Sequence, residues 1–155
     1  APFFALMSDP AVISLVPQTA LSREESLAQL SELITLATNS HTQIWGLCKK
    51  GNNHLIGLCG LLKNNEQQDE LAYRLLEPFW GQGYGTEITK GLIDYCFASR
   101  NTSLVTADVW VENTRSIAIL EKYFVPTIEF FNATDNCTDR RYALTKERWF
   151  NFTHN

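Results

Sequence analysis

The chain has no surplus of positive charge: 13 Lys and Arg stand against 17 Asp and Glu, a formal net charge of -4. Holding a nucleic-acid backbone takes clustered basic residues that displace counterions, so this composition argues against a nucleic-acid partner. The densest basic group, Asp139-Arg-Arg-Tyr-Ala-Leu-Thr-Lys-Glu-Arg-Trp149, is mixed in sign. Long hydrophobic runs are missing as well. The uncharged stretch from Pro10 to Ser22 is too polar and too short for a membrane span, which needs about 20 mostly apolar residues. No membrane partner and a soluble protein are expected. Cysteine is scarce: Cys48, Cys59, Cys96 and Cys137 form no C-x-x-C pair, and His41, His54 and His154 show no ligand spacing. That pattern predicts no metal and no disulfide framework, but buried thiols in a reducing cytoplasm. There is no initiating Met, charged start or cleavage pattern; the chain opens on Ala1-Pro-Phe-Phe, already apolar, and reads as one that begins inside a longer protein.

What is present fits one domain over residues 1–155: 45% of the residues are hydrophobic and 19% charged, enough for a real core. Asp9-Pro10 reads as a helix start, and Ser22-Arg-Glu-Glu25 as a capping box opening a helix with Leu27, Leu30, Leu33, Ile34 and Ala37 on one face. Two apolar runs around Gly51-Asn-Asn read as a hairpin, followed by a third strand from Glu70 to Leu76. A helix from about Gly83 to Phe97, a strand, a second helix capped by Asn113, and two closing strands, Thr127–Phe131 and Arg141–Trp149, complete the order. The expected class is a mixed α/β (α+β) sheet in which a crossover helix joins a parallel pair. Trp45, Trp80 and Trp110 read as core.

Three glycines crowd Gly81-Gln82-Gly83-Tyr84-Gly85, between a strand and a helix. Such a turn can offer the unpaired amides of a helix start to a phosphate. The dinucleotide pattern Gly-x-Gly-x-x-Gly fails, because Thr86 or Ile88 falls where the third glycine belongs. The mononucleotide loop fails too, since no Lys lies between Arg74 and Lys90. What remains is a short tight turn able to present amides from Gln82 to Thr86 to a pyrophosphate.

The neighbours of this turn resemble the GNAT N-acetyltransferases, within them the group that acetylates the N-termini of ribosomal proteins. The motifs are Ala72-Tyr73, then Phe79-Trp-Gly-Gln-Gly-Tyr-Gly-Thr-Glu87, then Asn113 and Ser116 with Leu120-Glu-Lys122, and a last block Arg141-Tyr-Ala-Leu-Thr145 closing on Trp149. The resemblance covers Asp9 to Trp149. It departs at Tyr123-Phe124-Val125, where the family has a glycine ending the helix, and the family's first strand is missing from residues 1–155.

The resemblance implies a mostly antiparallel sheet with a central parallel pair and flanking helices, acetyl-coenzyme A as cosubstrate, and a primary amine as acceptor, either a protein N-terminus or a small molecule. It implies direct attack on the thioester in a ternary complex. The pyrophosphate would lie on Gly81, Gln82, Gly83, Tyr84, Gly85 and Thr86, the thioester oxygen on a main-chain N–H near Leu75 or Leu76, and the pantetheine arm on Asn113. Ser116 would meet the departing thiolate, because Leu120 stands where the family often has a tyrosine. Glu70, with Glu129 second, is the candidate base. A coenzyme A-binding sensor without catalysis is the alternative. The missing strand would leave a sheet edge open to pairing in a homodimer.

Overall fold

The computed structural model describes residues 2–15, 18–39, 41–65 and 67–155. Helices α1 (Pro2–Ser8), α2 (Pro10–Ile13) and α3 (Arg23–Asn39) precede strands β1 (Gln43–Cys48), β2 (Leu55–Asn65) and β3 (Gln68–Leu75). Then follow α4 (Tyr84–Ser99), β4 (Leu104–Trp110), α5 (Thr114–Leu120), β5 (Val125–Asn132), β6 (Cys137–Thr145) and α6 (Lys146–Thr153). Local chemistry sets several boundaries as expected. The Asp9 side chain accepts from the Ala11 amide with Pro10 in the first turn, and Ser22 and Glu25 exchange the two bonds of a capping box at 3.1 and 2.7 Å. The Asn113 side chain accepts from the Ser116 amide at the head of α5.

The sheet runs β1-β2-β3-β4-β6-β5, antiparallel throughout except for β3 beside β4. That parallel contact is short: Gln68, Asp69 and Glu70 pair with Leu104, Val105 and Thr106, whereas β3 continues along β2 to Leu75 and β4 along β6 to Trp110. The two central strands therefore part beyond Glu70. On one face α4 covers the main core, including Leu61, Ile93, Cys96, Val105, Tyr142 and Leu144. On the other side of the molecule α1 and α2 bury Phe3, Leu6, Met7, Val12 and Ile13.

The structure corrects the sequence reading in four places. The apolar opening is itself a helix, α1, which the reading left without an element. On α3 only Leu30, Leu33 and Ala37 of the anticipated stripe are partly buried, while Leu27 and Ile34 are exposed. The last strand stops at Thr145, whose hydroxyl accepts from the Arg148 amide and starts α6; the Trp149 indole then docks on Asp94 of α4 at 2.8 Å. Of the three tryptophans read as core, Trp45 is 36% exposed, and Trp80 and Trp110 are only partly buried. The turn at Tyr123–Val125 closes without its glycine: Phe124 donates its amide to Leu120 O, no positive φ is used there, and both aromatic side chains enter the core.

The parallel junction is held by the buried carboxylate of Asp69. It accepts from Nε and Nη2 of Arg100 at 3.1 and 2.8 Å and from the hydroxyl of Thr102, while Arg100 also donates to the Gln43 side chain and to His41 O. Replacing Asp69 with Ala leaves the partly buried Arg100 guanidinium and the buried Thr102 hydroxyl without their acceptor, which should cost about 1–3 kcal/mol. Urea denaturation should show the midpoint falling accordingly; an unchanged midpoint would remove Asp69 from this role.

Candidate active site

Two cavities meet at β3. The first, a cleft of about 380 Å³, opens where β3 and β4 part and is walled by the start of α4 and by α5. The three glycines do different jobs there. Gly81 and Gly83 have φ of 70° and 87°, a region that side-chain-bearing residues avoid, and an added Cβ at either would meet nothing within 4 Å. They shape the turn and leave its surface bare. Gly85 is needed for close approach, since its Cβ would sit 2.8 Å from both the Tyr73 hydroxyl and Ile119 Cδ1.

The helix start has no side-chain cap, because Gly83 is its N-cap residue. The first-turn amides of α4 are thus available to an anion, with the helix dipole favouring negative charge. Two cations that the sequence reading missed flank this end. Lys122 Nζ donates to Thr86 Oγ1 at 3.3 Å, and the Arg115 guanidinium lies 5.2 Å above the Trp80 ring; both line the cleft. Their signal was present in the sequence as the basic residues of the Asn113–Lys122 block itself.

Among the residues expected to hold a cofactor, Gly81, Gly83, Gly85, Thr86, Leu75 and Asn113 line this cleft. Gln82 is exposed with its amide group turned back to Pro78 O at 2.6 Å, Tyr84 packs by Phe79, and neither lines the cleft. The Leu76 N–H is spent on Ile56 O at 2.9 Å. Amides alternate in direction along an antiparallel strand, so the Leu75 N–H turns away from β2 and into the gap left by β4. Of the two candidate donors, Leu75 is the one aimed at the cleft. Asn113 is largely committed elsewhere: besides capping α5 it donates from Nδ2 to Leu15 O at 3.2 Å, fastening the segment after α2 to the cleft wall. Ser116 lines the cleft one turn further along α5, and Tyr73 lines it from β3.

The second cavity, about 750 Å³, lies on the opposite face of the sheet between α3 and the β5–β6 turn. Leu33, Ile44, Leu58, Leu62 and Phe130 supply apolar wall, while Glu70, Asp108, Asp135 and Asp139 supply carboxylates. Glu70 and Asp108 share this wall, and Asp108 is in turn gripped by Arg141 at 2.8 and 2.9 Å. Burial first, and then the charge of Asp108, push the Glu70 carboxyl up to about 7; Arg141 offsets part of this and Asp139 adds to it. A carboxyl poised near neutrality can take a proton at physiological pH. Glu129, the weaker candidate, is exposed and bound to Arg140 at 2.7 Å, outside this cavity. The Gln29 Oε1 atom, on α3, is buried in the same wall with no hydrogen-bond partner among the described residues.

Tyr73 and Arg74 line both cavities. Burial depresses the basicity of Arg74, whose guanidinium donates to Met7 Sδ and to Gln18 Oε1 at 3.0 and 3.1 Å. Among the described residues no group of three or more His, Cys, Asp or Glu is placed to hold a metal ion, and no helix is long and apolar enough to cross a membrane.

Comparison with known proteins agrees with this geometry. Residues 1–123 match the family model described as an acetyltransferase (GNAT) domain. An uncharacterized N-acetyltransferase, p20, of Bacillus licheniformis is 30% identical over 118 residues, which is 73% of this chain; the chain spans 65% of that relative's own length. An acetyltransferase of the GNAT family from Bacillus anthracis superposes with a TM-score of 0.79 at 18% identity, over 94% of this chain and 88% of that one. The aminoglycoside acetyltransferase AAC(6')-Ib, solved in complex with coenzyme A, gives 0.80 at 12% identity, over 97% and 91%.

The Glu70 environment has a measurable consequence for stability. Its folded pKa, about 7, lies above the ordinary 4.5, so the fold disfavours the ionised form, and stability present below pH 4.5 declines as pH rises through 7. Glu70→Gln removes that penalty. The variant should melt above the wild type at pH 8.5 and together with it at pH 4; equal melting at both would mean that Glu70 is not held in this environment.

Proposed function

Since the chain belongs to the GNAT acetyltransferase domain family, we propose that it transfers the acetyl group of acetyl-coenzyme A to a primary amine, by direct attack within a ternary complex. The observation that carries this reading is the meeting of the two cavities on β3. One side offers an uncapped helix start with adjacent cations, and the other a carboxyl titrating near 7.

The residues present suit the cosubstrate. The amides following Gly83, with Lys122 and Arg115 beside them, take the pyrophosphate, and the bare surface of Gly81 and Gly83 lets it approach. When bound, acetyl-coenzyme A supplies an activated thioester in the gap between β3 and β4. The Leu75 N–H is aimed into that gap, where it can stabilise negative charge developing on the carbonyl oxygen. Glu70, with Asp108 beside it, accepts the proton that the amine must lose, and Ser116 faces the departing sulfur.

For the acceptor, the carboxylates Asp135 and Asp139 favour an amine that arrives as a cation, and Gln29 Oε1, unpartnered among the described residues, suits a second N–H donor on it. A protein N-terminus or a small-molecule amine meets these terms. An α-amino group, with pKa near 8, keeps roughly a tenth of its molecules neutral at pH 7 and asks less of the base than a lysine near 10.4. The kinship to ribosomal-protein N-terminal acetyltransferases suggested by the motifs favours the same acceptor. The free thiols of Cys59, Cys96 and Cys137 suit the cytoplasm, and the edge strands β1 and β5 suit pairing of chains in a homodimer.

Titration calorimetry with acetyl-coenzyme A, followed by turnover on a panel of amines, tests the reading. The wild type should bind and turn over, and Gly83→Trp should lose binding. With one fixed amine, kcat/KM should rise through pH 7, and Glu70→Gln should flatten that limb and cost on the order of 10²- to 10⁴-fold. Binding without turnover on any amine would leave a coenzyme A sensor in place of the enzyme. Failure to bind would sink both.

A further inference from the structure

Arg74 is half-buried where the two cavities meet, one residue before the Leu75 N–H that is aimed into the gap. The ion pairs among the described residues engage Arg100, Arg140 and Arg141, and Arg74 makes none. Its partners are a thioether, Met7 Sδ at 3.0 Å, and the neutral amide of an exposed residue, Gln18 Oε1 at 3.1 Å. A thioether is a weak acceptor, and two bonds leave most of the five-donor fork unspent. That fork matches a carboxylate, which it binds through two parallel hydrogen bonds. Burial works against the charge of Arg74 and Asp135 offsets only part of this, so the guanidinium gains from an anion that enters the cavity.

The floor beside Arg74 suits a molecule that carries both signs of charge. Glu70, Ala72 and Arg74 alternate onto one face of β3, and Leu62, Gly60 and Leu58 of β2 pair with them in turn. The middle rung, Gly60 with Ala72, carries almost no bulk; it is a trough with a carboxyl at one end and a guanidinium at the other. At the β5–β6 turn, Asn132 Nδ2 donates to both Asp135 and Asp139, at 3.2 and 2.9 Å, and holds two further carboxylates together. Apolar wall from Leu33, Ile44 and Phe130 completes the cavity. A simple amine cation or a polyamine brings only the charge that Arg74 repels. A peptide N-terminus brings a neutral amide where an anion would sit.

We infer that the acceptor is a free α-amino acid with a large apolar side chain, held by its carboxylate on Arg74. The inference rests on the acetyl-transfer reading above and narrows its acceptor to a small molecule. With the carboxylate on Arg74, the amine lies over Ala72 toward Glu70, and the side chain takes the apolar wall. The amine nitrogen forms its bond to the thioester carbonyl carbon and gives a proton to Glu70. The carbon–sulfur bond breaks, and its electron pair leaves with sulfur as the thiolate. The product is an N-acetyl amino acid, which keeps its carboxylate but no longer carries the positive charge that Asp135 and Asp139 attract.

The test supplies acetyl-coenzyme A to the wild type, Arg74→Gln and Arg74→Lys. It compares leucine and phenylalanine with their carboxamides, with glycine, with a peptide that begins with leucine, and with a linear polyamine. The carboxamides have the less basic amine, so intrinsic reactivity favours them and a preference for the acids must come from the site. In the wild type, kcat/KM for the acids should exceed that for their carboxamides on the order of 10²-fold. It should exceed that for glycine roughly tenfold or more. Arg74→Gln should bring the ratio of acid to carboxamide down to about one, and Arg74→Lys, which keeps the charge without the fork, should retain part of it. A merely structural arginine would lower both substrates together and leave the ratio alone. Should Arg74→Gln fail to fold, the wild-type ratio decides by itself. A wild-type ratio of one or less, a ratio that Arg74→Gln leaves unchanged, or faster turnover of the peptide or the polyamine would overturn the inference while acetyl transfer stands. Binding of acetyl-coenzyme A without turnover on any amine would overturn both.

Discussion

The geometry of the site depends on one buried carboxylate. Asp69 sits where β3 begins its three-residue parallel contact with β4, and through Arg100 and Thr102 it ties together the end of α4, the entry to β4 and, by way of Gln43, the edge strand β1. A buried charge is tolerated only when paired and hydrogen-bonded, and here each oxygen is engaged. By pinning the two strands at one end, the pair lets them diverge at the other. The cleft is therefore the open end of a clasp, and its width is set some distance from the chemistry.

Divergence makes the cleft, and glycine makes it usable. Gly81 and Gly83 supply backbone angles for the turn into α4, so the helix presents amides instead of a side-chain cap. Gly85 does something unrelated, clearing room for a phenol that comes from a strand twelve residues earlier in the chain. Neither the turn nor the phenol alone would make a cofactor site; they share a wall because α4 crosses β3 at its first turn.

Much of this was legible in the sequence where the physics is local. Ser22 with Glu25, Asp9 with Pro10, and Asn113 announce helix starts by hydrogen bonds that span only a few residues. Patterns that depend on tertiary partners were harder to read. The apolar residues of α3 promise a buried face, yet Leu27 and Ile34 find nothing to cover them among the described residues. Arg141–Trp149 looks like one strand until Thr145 accepts the Arg148 amide and turns the chain into a helix. In the site the same division holds. The glycine turn could be found from spacing, whereas the neutral-range carboxyl of Glu70 could not, because its cause is Asp108 on another strand together with burial. Leu76 and Leu75 differ only in the direction of an amide, which no composition records.

Tyr73 and Arg74 belong to the walls of both cavities. A strand residue that two ligands share cannot be altered for one without being felt by the other, so β3 is a conservative part of the design. The outer walls of the second cavity, drawn from α3 and the β5–β6 turn, touch only one of the two. Under the proposed acetyl transfer, retuning toward a new acceptor is therefore open at Gln29, Leu33 and Asp135, where changes leave the first cavity's walls in place, and is closed at the strand between them.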